Sequence, residues 1–196
     1  AVAPAFEETA AAASAAWLYT AVAVTYVRPS DPRELLVQVQ TSDDVPRIRT
    51  QLLRLDERVR ATTGRSLTLD VDTWGGTAWP WVWYVRDLSP SFDDLSIAPP
   101  RARPEAVLVA EPNRALVQPL LRGYVPHRFR LRVWWSPDWG GGGVTGWLER
   151  TVARTPWSPT ASLDEILYLR PDVARLTRSS RSDVVGRPRA SAVGPG

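Results

Sequence analysis

The sequence predicts an α/β fold, and three observations carry the prediction. A strand, a capped amphipathic helix and a second strand follow one another between Glu34 and Val71. A run of apolar residues, Glu105 to Ala110 (EAVLVA), has the Val- and Leu-rich composition of a strand buried on both faces. A third run, Arg128 to Trp135 (RFRLRVWW), alternates apolar and basic residues at the period of a strand. Strand, helix and strand with short connections make a βαβ unit, which implies a parallel pair with a right-handed crossover. The expectation is a small Rossmann-like three-layer domain with a mostly parallel sheet of about 4–5 strands.

In chain order, Ala1 to Ala16 is low in complexity and rich in alanine, and Ala10 to Val27 is the longest apolar stretch. It is mostly alanine, weaker than the run of about 18 strongly apolar residues that marks a span; a helix near a membrane is one reading of it, and Trp17 to Val27 fits either a continued helix or a turn into a strand. Glu7 and Glu8 stand where the basic start of a signal peptide belongs. Arg28 to Arg33 (RPSDPR) breaks the pattern, because each proline fixes its own φ and disfavours helix just before it. Residues 1–33 are therefore read as a helix or linker ahead of the domain.

Glu34 to Gln40 (ELLVQVQ) reads as the first strand, with Leu36, Val37 and Val39 its apolar residues. Thr41, Ser42, Asp43 and Asp44 supply oxygens to cap a helix, and Pro46 fits its first turn. Val45, Ile48, Leu52, Leu55 and Val59 recur at spacings of three and four, which is one helical face, and Gly64 ends it. Ser66 to Val71 is the second strand, and Ser91 to Ile97 adds a short one. Ala115 to Leu121 reads as a short helix stopped by Gly123, and Trp147 to Val152 as another. Phe129, Leu131 and Val133 face one way on the fourth strand and Arg128, Arg130 and Arg132 the other, the pattern of an edge strand or of one solvated face. The α/β domain spans 34–176. Beyond it, Ser, Arg, Gly and Pro dominate residues 177–196, a composition that predicts a disordered tail.

The chain has 196 residues and a net charge of +3, with Arg as its only basic residue type besides a single His. That bias reads as a property of GC-rich coding rather than of phosphate binding. The excess sits in the tail, where Arg178, Arg181, Arg187 and Arg189 face only Asp183. A neutral body lacks the clustered basic face that nucleic acid requires, so nucleic acid is not an expected partner. Cysteine and methionine are absent. Disulfides and thiolate metal sites are thereby excluded, and a chain that starts at Ala1 without Met reads as a piece of a larger protein.

Two places hold candidate chemistry. The first is the segment Trp79 to Asp87, where Trp79, Trp81, Trp83 and Tyr84 fall within six residues and Arg86 follows. It comes after the second strand, and in open parallel sheets ligands bind beyond the carboxyl ends of strands. Two readings stay open: an aromatic surface for sugar rings or lipid chains, or rings that cover a small sheet and bury one another. Trp134 and Trp135, at the end of another strand, share the same two readings. The second place is Asp70-Val71-Asp72. An apolar strand followed by Asp-x-Asp is how nucleotide-sugar transferases hold Mg²⁺ or Mn²⁺ against a diphosphate, and carboxylates suit those hard cations. Asp at a strand end also simply caps turns. His127, the sole histidine, stands at the edge of a strand, and no Gly-x-Ser-x-Gly elbow occurs in the chain. Gly140 to Gly143 lacks the Lys-Ser/Thr of a phosphate loop, and no G-x-G-x-x-G follows the first strand.

Five stretches in this order carry a resemblance: LLVQVQTSDDVPRI (Leu35 to Ile48), WPWVWYVRDL (Trp79 to Leu88), EAVLVAEP (Glu105 to Pro112), YVPHRFRLRVWWSPDW (Tyr124 to Trp139) and RTPWSPTASLDEILYLRPDV (Arg154 to Val173). Together they resemble the C-terminal soluble domain of flippase-activity-associated membrane proteins, which are similar to dolichyl-phosphate-mannose-protein mannosyltransferases of the GT-C type. The resemblance implies an accessory domain on the extracytoplasmic face of the cell membrane, joined to a membrane-embedded half that holds the catalytic acid. It carries over no catalytic residue and no cofactor to this chain. The partners it implies are that membrane half and a glycan or lipid-linked sugar. Two other functions stand beside it: a self-contained nucleotide-sugar transferase built on Asp70 and Asp72, and a structural or interaction module at the cell surface.

Overall fold

The computed structural model describes residues 3–34, 39–138 and 141–176. The predicted tail, and Leu36 and Val37 of the predicted first strand, lie outside them. In chain order the elements are α1 (Ala3–Val22), which runs on through a π-helical turn at Ala23–Val27, β1 (Val39–Thr41), α2 (Asp44–Thr63), β2 (Leu69–Asp72), α3 (Ala78–Tyr84), β3 (Ser91–Asp93), β4 (Ala106–Ala110), α4 (Arg114–Val117), β5 (Val125–Trp134), α5 (Gly143–Ala153) and β6 (Ala161–Leu169). They fall into two compact units. One comprises Ala1–Asp43 and Leu131–Leu163, the other Asp44–Arg130 and Asp164–Gly196.

The strand order is β1-β5-β6-β4-β2-β3, a mixed sheet of six strands rather than the mostly parallel Rossmann-like sheet the sequence predicts. β2 runs parallel to both β3 and β4, while β1 with β5 and β4 with β6 pair antiparallel. The predicted βαβ unit across α2 does not form. Both edges of β2 are taken by β3 and β4, and β1 pairs antiparallel with β5 instead, Val39 opposite Trp134 and Thr41 opposite Arg132. The parallel crossover that does exist runs from β2 to β3 and contains the tryptophan segment. The arginine-bearing strand is not terminal either, since β5 lies between β1 and β6. Among the described residues the two end strands, β1 and β3, have three residues each.

The core of the second unit forms where periodicity predicts it. Val45, Ile48, Leu52, Leu55 and Val59 are all buried along α2, and Gly64 follows it at φ 72°, the left-handed position that ends a helix. β4 is buried at every residue. β6 pairs with it antiparallel, so that Val107 meets Tyr168 and Val109 meets Ile166, and these four pack with Leu95, Val117 and Leu121. Glu105, at the entrance to β4, is 1% exposed and ties three connections together. Its carboxylate accepts from the Thr68 backbone N–H at 2.7 Å, from Arg65 at 3.1 Å and from Arg170 at 2.9 Å. Burial pushes this carboxyl up, but the hydrogen bonds of Arg65 and Thr68 and the charge of Arg170 prevail and hold it at about 2.

In the first unit, Thr9–Val27 is a 19-residue helical stretch with a mean hydropathy of 1.4, long and apolar enough to cross a membrane. At about 1.5 Å per residue it spans roughly 28 Å, close to the hydrocarbon thickness of a bilayer. Trp17, Leu18, Tyr19, Val22, Tyr26 and Val27 are all exposed along it. Thr20 satisfies its hydroxyl internally, donating to the Ala16 carbonyl at 2.9 Å. The chain then turns, and Arg28 bridges to the buried Glu34 carboxylate at 3.0 Å.

Candidate functional site

The tryptophan segment is a short helix seeded by the end of β2. The Asp72 carboxylate accepts the Trp74 backbone N–H at 3.1 Å, and Gly75 and Gly76 take positive φ to turn the chain. The Thr77 hydroxyl donates to the Asp72 and Trp74 carbonyls at 2.8 Å each, fixing the start of α3. Pro80 sits in its first turn, where a missing N–H removes no hydrogen bond.

The backbone kinks at Trp79, which has an extended φ of −87° and ψ of 118°, and the aromatic residues of the segment divide between an exposed and a buried side. Trp79, Val82 and Trp83, spaced by three and one, point outward and are 63%, 50% and 62% exposed. Trp81 points inward and is fully buried. Its indole N–H donates to Glu165 Oε2 at 2.6 Å, and its ring stands edge-on to Phe129 with centroids 5.9 Å apart and to Tyr84 at 6.4 Å. Tyr84 is half-buried, and Arg49 of α2 holds its carbonyl at 2.9 Å and reaches Asp87 at 3.4 Å. Arg86 lies over the Trp83 ring, 4.3 Å from the centroid, and donates to the Trp83 carbonyl at 2.8 Å. Of the five residues predicted here, Trp79, Trp83 and Arg86 form an outward surface together with Val82. Trp81 is core, and Tyr84 braces it.

Trp134 and Trp135 belong to the first unit and form a separate cluster. Trp134 ends β5 opposite Val39 and is half-buried. Trp135 donates to Ser158 Oγ at 2.8 Å, stands edge-on to Trp157 at 4.8 Å, and carries the Arg150 guanidinium over its face at 4.5 Å. Trp147 of α5 meets the same Trp157 at 4.7 Å. Arg150 is 2% exposed, and its pKa is lowered, by burial first and by neighbouring Arg154 second.

Asp70 and Asp72 are both buried, and both are engaged by the fold. Asp70 accepts the backbone N–H and the Nε of Arg101, each at 2.7 Å. Asp72 accepts four donors. Trp74 N and Leu95 N reach Oδ1 at 3.1 and 3.2 Å, while Ala110 N and Asn113 Nδ2 reach Oδ2 at 3.1 and 2.8 Å. Among the described residues no group of three or more His, Asp or Glu is placed to hold a metal ion. His127 is exposed on β5.

Sequence reasoning missed Glu165, Asn113, Arg150 and Trp157. Only Glu165 left a signal, as a charged residue at the head of the apolar run Ile166 to Leu169. Compared with family models, with curated proteins and with solved structures, the chain finds no match.

Proposed function

We propose that this chain is an extracytoplasmic accessory domain of a membrane glycosyltransferase that uses lipid-linked sugars. It is non-catalytic on its own, it is tethered through α1 to a membrane-embedded half, and it contacts sugar through the outer face of α3. The observation that carries this reading is that face: Trp79, Val82 and Trp83 stand outward together beyond the carboxyl end of β2, with the Arg86 guanidinium beside them. Indole faces stack on the C–H surface of a sugar ring, and a guanidinium donates to hydroxyl or phosphate oxygen. The apolar helix Thr9–Val27 supports the membrane placement. Asp70 and Asp72 are committed to the fold, which favours this reading over a self-contained transferase built on an Asp-x-Asp metal site.

The test is tryptophan fluorescence of the full chain in mild detergent, titrated with oligosaccharides and with a polyprenyl-phosphate hexose in mixed micelles. Trp79→Ala and Trp83→Ala should each weaken binding tenfold or so, equivalent to about 1.4 kcal/mol, while leaving the melting temperature nearly unchanged. Trp81→Ala should instead cost about 3–5 kcal/mol of stability. Binding that survives the loss of both outer tryptophans overturns the α3 surface. Absence of binding to every sugar probe overturns the function.

A further inference from the structure

α5 carries an apolar stripe on its outer side. Val144, Leu148 and Val152, spaced by four, are 89%, 62% and 75% exposed, and Trp147 borders them. The opposite side of the helix holds the buried Gly146 and Arg150. Three aliphatic side chains lined up in water are an unfavourable arrangement unless something covers them.

The buried side of α5 fixes where that stripe lies. Arg150 Nη2 donates to the Pro32 carbonyl at 3.2 Å and to the Glu34 carbonyl at 3.1 Å. Arg154 Nε reaches the Glu34 carboxylate at 3.2 Å. The same carboxylate takes Arg28 at 3.0 Å, and the Arg28 backbone N–H closes the last turn of the apolar helix on the Ala23 carbonyl at 2.8 Å. Glu34 is thus held within one arginine side chain of the residue at which the apolar helix ends, and α5 is riveted to that point from its own buried side.

We propose that α5 is an interfacial helix. Its Val144–Leu148–Val152 stripe and Trp147 rest in the headgroup and acyl boundary of the same bilayer that α1 enters. The proposal rests on the membrane reading of α1 given above and adds a second, in-plane contact to it. A short helix with aliphatic residues on one side and a bordering tryptophan is the composition that partitions to this depth. Tyr26 and Arg28 at the end of the apolar helix are the anchors expected at the same level. The two contacts together hold the first unit against the membrane at a defined tilt.

The chain has no cysteine, so single nitroxide labels can be placed without background. Val144→Cys, Leu148→Cys, Val152→Cys, Glu149→Cys and Leu18→Cys, each at an exposed position, are labelled in the full chain and reconstituted into phosphatidylcholine vesicles. Collision rates with oxygen and with a water-soluble nickel chelate are then read. The expected result is a several-fold higher oxygen-to-nickel ratio at 144, 148 and 152 than at 149, with the highest ratio at 18. A label at 18 in lipid with those on α5 in water overturns the interfacial helix and leaves the membrane reading of α1 standing. Labels on α5 shielded from both reagents mean that protein covers the stripe, a second copy included, and also overturn the proposal. A label at 18 in water overturns both.

Discussion

Replacing Glu105 with Gln removes the charge at a buried carboxylate of the second unit while keeping its shape. In the native protein Glu105 holds Arg65, Thr68 and Arg170, which follow α2, precede β2 and follow β6 respectively. Its pKa is lowered from 4.5 to about 2. A carboxyl depressed in the folded state contributes stability that is fully present above its unfolded value and is lost as the pH falls toward the folded one. The window therefore runs from about pH 4.5 down to about pH 2. A shift of this size corresponds to about 3 kcal/mol, applicable because the group is buried. Glu105→Gln should cost about that much at pH 7 and flatten the acid limb of the stability curve. Asp172, largely exposed and also held low by Arg170, leaves a smaller residual slope. The assay is urea denaturation of the full chain in mild detergent between pH 2.5 and 7. A variant as stable as the native protein at pH 7, or one with an unchanged fall below pH 4.5, would refute the reasoning.

Asp72→Ala should cost about 3–5 kcal/mol, since it strands three backbone N–H groups and the Asn113 amide in the interior. Asp72→Asn should recover part of that loss, and thermal unfolding that moves by less than about 1 kcal/mol would contradict the role given to the carboxylate. Gly142→Ala places a Cβ 2.5 Å from Trp157 Cδ2 at a residue with φ 77°, so strain and clash add. Gly143→Ala, at φ 51° with nothing within 4 Å, incurs strain alone. The first should destabilise by about 2–4 kcal/mol and the second by about 1 kcal/mol. Equal urea midpoints for the two would show that Trp157 yields without cost.

What the sequence made legible follows from how local each signal is. The face of α2 is written in five residues at spacings of three and four, and no distant partner is needed to read it. The alternation of Phe129, Leu131 and Val133 against three arginines is likewise kept along β5. Sheet order is not local. A strand such as β1 carries no record of whether its edge goes to β2 or to β5, and the strand–helix–strand spacing fits both. β6 hides because Asp164 and Glu165 interrupt its apolar pattern, and the buried Glu165 accepts from Trp81, 84 positions away. The two faces of the tryptophan segment were within reach. Once the part from Pro80 onward is taken as a helix, residues 81 and 83 fall on different sides, while Trp79 precedes it in extended backbone. Pro80 conceals this, because a proline inside a pattern reads as a break, although in a first turn it is compatible with helix.

The Asp72 carboxylate has a consequence for what this fold can host. The carboxyl ends of parallel strands are where such sheets usually receive a phosphate, by aiming backbone N–H groups at it. Here those groups, at Trp74, Leu95 and Ala110, already converge on a negative charge supplied by the chain itself. The protein carries a resident anion in the seat where others keep a vacancy for a nucleotide. A small neutral residue at 72 would empty that seat and leave four donors in search of an oxyanion.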